Sequence, residues 1–355
     1  MSNRIFYHAV WLLYLLVISF VSVGSAAAAP IKNNANIRAL HLVSFGITPE
    51  QMKTVLDQAN SQHFNTLILG VCWRGNTTLM STTWAQAQGG IQWSKQDLKG
   101  IADYARSKGM SIIPEVKLLT HQEVFFGNSH PEWMYNSATY DPRQRHVYDT
   151  VFSMLDELID LLHPKAVHIG HEELVGWVLH NKLMPDKHIG LLEGEQMLPA
   201  DLFLKDVLLI HDYLRKKGVE TWMWGDMLIS HDEFPGMAPY ELHGAAPGYG
   251  KQLRNQLPRD IVIGDWHYFD KQAEFPSLDT FRNEGFRVIG ATWRKRETIS
   301  NFSQYAASHG AEGMVATTWF IPGSKAAGAV NTWNDLNRII RESGEAFIKD
   351  FPDAK

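Results

Sequence analysis

Eight short apolar stretches recur along this chain, near residues 40, 68, 114, 168, 223, 263, 289 and 316, and segments of helical periodicity separate most of them. Near-continuous Val, Ile, Leu and Ala over so few residues suits a strand covered on both faces, as in a parallel sheet. Strand–helix alternation over roughly 250 residues or more predicts an α/β protein of the (β/α)8 TIM-barrel class. A doubly wound sheet also alternates, but no Gly-rich phosphate fingerprint follows the first strand. The helix ends fit: Thr48 precedes Pro49, Ser94 stands three residues before Asp97, and Gly109 and Gly218 follow two of the helices. No low-complexity linker divides residues 30–355, so they are read as one domain. Met184 to Met197 reads as a long connection, a lid or rim loop.

Residues 1–29 are set apart from the fold. Arg4, the apolar run Val10 to Val23 and the alanines Ala26 to Ala29 have the layout of a secretory signal peptide. Export to the periplasm or the exterior is expected, with retention of the segment as an anchor the alternative. Loss of Arg4 takes the net charge from −5 to −6. A mildly acidic chain without a basic block argues against nucleic acid as a partner. Cys72 is the only cysteine, so no internal disulfide is expected.

Barrel enzymes place their chemistry at the C-terminal ends of the strands. The stretch Lys165 to Leu174 runs through apolar residues to His171, Glu172 and Glu173. A Glu–Glu pair after a strand is commonly a solvated loop. In a poorly solvated site, however, adjacent carboxylates raise at least one pKa, which makes one an acid while the other stays charged. If the strand continued, the two would point different ways. The other strand ends offer Glu115, His121, Asp226, Asp265, His267 and Tyr268, with Trp224, Trp266, Trp293 and Trp319. Acids beside tryptophans fit sugar chemistry: acids protonate the leaving oxygen and flat rings stack on the pyranose. No cofactor or metal is expected. His168, His171 and Glu172 lack the spacing of a ligand set, and no Gly-x-Ser-x-Gly elbow occurs.

His168-Ile169-Gly170-His171-Glu172-Glu173 resembles the His-x-Gly-Gly-Asp-Glu strand of glycoside hydrolase family 20, the β-N-acetylhexosaminidases. Tyr140-Asp141-Pro142, Pro114-Glu115-Val116 and the later His121 are similar to family segments as well, and the layout is that of single-domain, dispersin-like members. The resemblance implies a retaining, substrate-assisted mechanism on an N-acetylhexosamine-containing glycan. Glu173 is then the general acid and base, Glu172 orients the acetamido group, and Tyr268 holds its oxygen. It further implies that Arg38, His121, Trp224, Asp226, Trp266 and Trp319 bind the sugar. Two features depart from the family: Glu172 and His171 stand where it has Asp and Gly, and Ile321 stands where it often has the glutamate of Trp-x-Glu. Two alternatives remain at the level of sequence. One is a retaining glycosidase with Asp226 or Asp265 as nucleophile; the other is a barrel that binds carbohydrate without turning it over.

Overall fold

The computed structural model describes residues 36–44, 46–71, 93–122, 125–174, 191–192, 194–325 and 329–353. The signal segment, Cys72 and most of the stretch from Met184 to Met197 lie outside the described residues. Among the described residues no helix is long and apolar enough to cross a membrane.

The eight expected strands pair in chain order into one closed parallel barrel. They are β1 (Ile37–Val43), β2 (Thr66–Gly70), β3 (Ser111–Leu118), β4 (Ala166–Gly170), β5 (Glu220–Trp224), β6 (Val262–Trp266), β7 (Arg287–Thr292) and β8 (Gly313–Thr317). The seam is β1 against β8, with Ile37 opposite Gly313 and His41 opposite Thr317. Strands β5 and β6 are shorter than their apolar runs suggest. Past Trp224 the chain makes a 3-10 turn, Asp226–Leu228, whose Met227 and Leu228 are buried. Those apolar residues pack in a loop rather than extend the sheet.

Helices fill the connections and bury one face each. The helix Pro49–Ser61 buries Met52, Val55, Leu56 and Ala59. It starts at a reciprocal cap: Thr48 Oγ1 accepts from the Gln51 amide at 3.2 Å and the Gln51 side chain accepts from the Thr48 amide at 2.9 Å. Ser94 and Asp97 repeat the device at Lys95–Ser107. Each cap contributes about 1 kcal/mol.

Alternation along the strands makes two cores. Outward side chains pack beneath the helices. Inward ones fill the lumen, where Ala39, Ile68, Ile113, Ala166, Val262, Ile289 and Val315 form an apolar cluster with Trp222, Trp224 and Trp266. The same parity brings His41, Glu115, Lys117 and His168 inward, all of them buried. The barrel is therefore apolar over part of its lumen and charged toward the C-terminal strand ends.

Candidate active site

Strand β4 stops at Gly170, and three of the four residues from Gly170 to Glu173 take left-handed backbone angles: Gly170 at φ +78°, His171 at +66° and Glu173 at +53°. A Cβ on Gly170 would stand 2.9 Å from Glu172 Oε2 and 3.3 Å from Lys117 Cα, so glycine is required on both conformational and steric grounds. The turn breaks the alternation that would separate the two glutamates. His121 Nε2 lies 3.9 Å from Glu172 Oε1 and 3.6 Å from Glu173 Oε2.

Glu173 occupies the outer position, its side chain 27% exposed. Burial pushes its carboxyl above the ordinary range. The charges of Asp226 and Glu172 add to this, while His121 and His243 pull the other way. Its backbone N–H donates to Asp226 Oδ2 at 2.8 Å. Asp226 is itself buried; Oδ2 also meets His243 Nδ1 at 2.7 Å, and Oδ1 accepts from Trp266 Nε1 at 3.3 Å. For His243, burial lowers the imidazole pKa, but the hydrogen bond and charge of Asp226 more than offset it, leaving it raised.

Glu172 sits deeper. Its Oε1 is ion-paired with Lys117 Nζ, and Lys117 Nζ also lies 3.2 Å from Glu115 Oε1. Glu115 completes a buried cluster with His41 Nε2 at 2.8 Å and Trp224 Nε1 at 3.2 Å. Burial raises the Glu115 carboxyl, yet Lys117 and His41 together hold it well below the carboxylate range. Burial pushes His168 down to about 3. It is therefore neutral, with Nδ1 free of a proton to accept from the Gly170 amide at 3.2 Å.

His171 points away from the mouth. Its Nε2 meets Asp206 Oδ2 at 2.8 Å and its Nδ1 faces the Ile169 carbonyl at 3.1 Å. Asp206, on the helix Ala200–Lys216, also accepts from Tyr148 Oη at 2.7 Å and Tyr140 Oη at 3.0 Å. Both imidazole nitrogens therefore face oxygens of the protein, which locks the ring in place.

An aromatic wall closes the opposite side. Trp319 Nε1 donates to Tyr268 Oη at 3.0 Å, and the Tyr268 ring centroid lies 4.7 Å from Trp266 and 5.7 Å from Trp293. Burial raises the Tyr268 phenol, which stays protonated and able to donate. The Tyr268 amide donates to Glu241 Oε1 at 2.6 Å. Burial pushes Glu241 up to about 7 against the pull of His267. Glu241, His267 and Asp270 lie close enough together to suggest a metal. Yet His267 Nδ1 is engaged by both carboxylates, at 2.9 and 3.0 Å, and Nε2 by Ser277 at 3.0 Å. The cluster is a hydrogen-bonded brace behind Tyr268.

The sequence model of the glycosyl hydrolase family 20 catalytic domain matches residues 54–319, about three quarters of the chain. The chain belongs to glycosyl hydrolase family 20. Solved structures of similar fold include dispersin B, at 15% identity and a TM-score of 0.57, covering 88% of this chain and 99% of that one. A β-N-acetylhexosaminidase from Bacteroides fragilis superposes with a TM-score of 0.58 at 16% identity, over 88% of this chain and 66% of that one. A chitobiase from Flavobacterium johnsoniae gives 0.56 at 14% identity. That match covers 89% of this chain and spans half of the chitobiase.

Within this family-20 barrel, Glu172, Glu173, His121, Tyr268, Trp266 and Trp319 converge on one mouth. Four expectations need correction. Arg38 lies at the opposite end: it is the second residue of β1, and its guanidinium bonds the carbonyls of His63 at 2.6 Å and Phe351 at 2.7 Å. Asp265 has the parity opposite to Trp266, faces the helix layer and accepts from Ser277 Oγ at 2.8 Å. His267 is also turned outward, packed against Phe275 and Phe302. Asp226 has both oxygens engaged by Glu173, His243 and Trp266, which suits it to holding Glu173 rather than a sugar.

Trp224 is buried with its N–H on Glu115, so it forms floor rather than wall. Lys117, Asp206, Glu241 and His243 went unnoticed in the sequence. Lys117 had a signal: two residues past Glu115 on a strand, it must share its lumenal face.

Proposed function

We propose that this family-20 glycosidase removes β-linked N-acetylhexosamine with retention, using the substrate's own acetamido oxygen as nucleophile. The observation that carries the reading is the division of labour among three carboxyl groups. Glu173 has a raised pKa and an exposed edge, as a general acid requires. Glu172 keeps one buried oxygen, Oε2, with no hydrogen-bond partner. Asp226, the nearest alternative nucleophile, is used up on the protein itself.

In this mechanism Glu173 protonates the glycosidic oxygen as the bond breaks, then takes a proton from the water that opens the cyclic intermediate. Glu172 receives the acetamido N–H and bears the adjacent negative charge. Tyr268 donates its O–H to the acetamido oxygen while accepting from Trp319. The rings of Trp266, Trp293 and Trp319 offer apolar faces to the pyranose. The apolar leader supports action outside the cytoplasm.

The test is release of nitrophenol from aryl β-N-acetylglucosaminide, β-N-acetylgalactosaminide and plain β-glucoside. Turnover confined to the N-acetyl sugars supports the reading. Equal turnover of the glucoside overturns it in favour of a protein nucleophile, and binding without turnover marks a barrel that only holds its sugar.

A further inference from the structure

Lys117 lies directly beneath the two glutamates. Its side chain is 5% exposed, and its ammonium is shared between Glu115 Oε1 and Glu172 Oε1 while standing 4.4 Å from the centre of the Trp319 ring. A lysine is rarely buried to this degree unless paired, and here it is paired twice. The arrangement makes the two oxygens of Glu172 unequal. Oε1 is committed to Lys117. Oε2 is buried and accepts nothing, and the bare α-carbon of Gly170 leaves it room. A buried acceptor without a partner is costly, so Glu172 depends on its bond to Lys117 to hold it in place.

We propose that Lys117 is a positioning residue that, by holding Oε1, fixes the Glu172 carboxyl group in one orientation as an acceptor, and thereby selects sugars carrying a hydrogen-bond donor beside the reacting carbon. The proposal rests on the family-20 reading of Glu172 given above. Without the cation, Glu172 and Glu115 would face each other across a buried space with no partner between them, an unfavourable arrangement that rotation of Glu172 relieves. A rotated Glu172 no longer offers a fixed lone pair to an N–H. The preference for an amide-bearing sugar then fades while the acid, Glu173, stays in place.

The test is a double-mutant cycle on the full chain with Lys117→Met, Glu172→Gln and the pair. It is read as kcat and KM on aryl β-N-acetylglucosaminide and as binding of N-acetylglucosamine by calorimetry. Circular dichroism confirms folding; if the methionine variant unfolds, Lys117→Gln replaces it. Lys117→Met is expected to lower kcat by about 100-fold in the wild-type background, since misplacement of a reacting group has effects of this order. In the Glu172→Gln background the loss should be under about threefold, because the residue through which Lys117 acts is already neutral. Lys117→Arg should recover part of the loss. Equal losses in both backgrounds would show a merely structural lysine and overturn the proposal while leaving the hexosaminidase reading intact. A wild-type chain that binds N-acetylglucosamine without turnover defeats that reading, and the binding cycle then decides Lys117 by the same comparison. A wild-type chain that neither binds nor turns over overturns both.

Discussion

The backbone N–H of Glu173 donates to Asp226 Oδ2 across 2.8 Å, so a carboxylate from the end of the neighbouring strand sets where the acid stands. Asp226→Asn keeps the shape but puts an amide where His243 and Glu173 both need an acceptor. The expected result is a fall in kcat of about a hundredfold, the scale of a 1 Å misplacement. Steady-state kinetics beside a thermal melt would check it: loss of activity tracking loss of fold would contradict a positioning role.

Glu173→Gln removes the transferable proton. General acid–base catalysis is worth about 10²–10⁴-fold. That loss should appear in full for a phenyl leaving group, which needs protonation, and shrink for a dinitrophenyl group, which leaves unaided. Comparing the two substrates across wild type and variant reads the role directly; an identical loss on both would assign Glu173 elsewhere.

Activity needs Glu173 protonated at the start of the reaction, so it falls as pH rises through the folded pKa. Burial and the charges of Asp226 and Glu172 raise that pKa, which extends activity toward neutral pH. His121 is the first of the charges that hold it down, so removing His121 raises it further. The alkaline limb of the kcat/KM profile should therefore move to higher pH in His121→Gln. A limb that stays put, or moves down, would mean another group controls it.

Asp206 accepts hydrogen bonds from Tyr140, Tyr148 and His171 in a buried site. Asp206→Ala leaves the His171 ring and both phenols without an acceptor. Each buried polar group left unsatisfied costs about 1–3 kcal/mol. Urea unfolding should show the loss, and pairing Asp206→Ala with His171→Gly should recover much of it.

The barrel was legible because each strand is buried on both faces, which writes an apolar run into the sequence, and because caps such as Thr48 with Gln51 are local. Glu173, His121, Tyr268 and Trp319 were legible as strand-end residues. Arg38 was misplaced because membership of a strand does not say which end a residue occupies. Asp265 was misplaced because only one of two neighbours can face the lumen, and Trp266 takes that place. Asp206 and Glu241 reach the site from the helix Ala200–Lys216 and from the loop after β5, so only the assembled fold reveals them.

The seam between β1 and β8 fixes when this molecule can come into being. Arg38 bonds the carbonyl of Phe351, a partner 313 positions later, and β1 cannot pair with β8 until Gly313 to Thr317 exists. A chain that appears N-terminus first thus carries β1 with one flank unpaired until Thr317 has emerged. The staves cannot be hooped, nor the mouth gain Trp319, until β8 is free. Unpaired strand edges invite other chains. The exposure of this barrel to misassembly is therefore concentrated in the interval before β8 emerges.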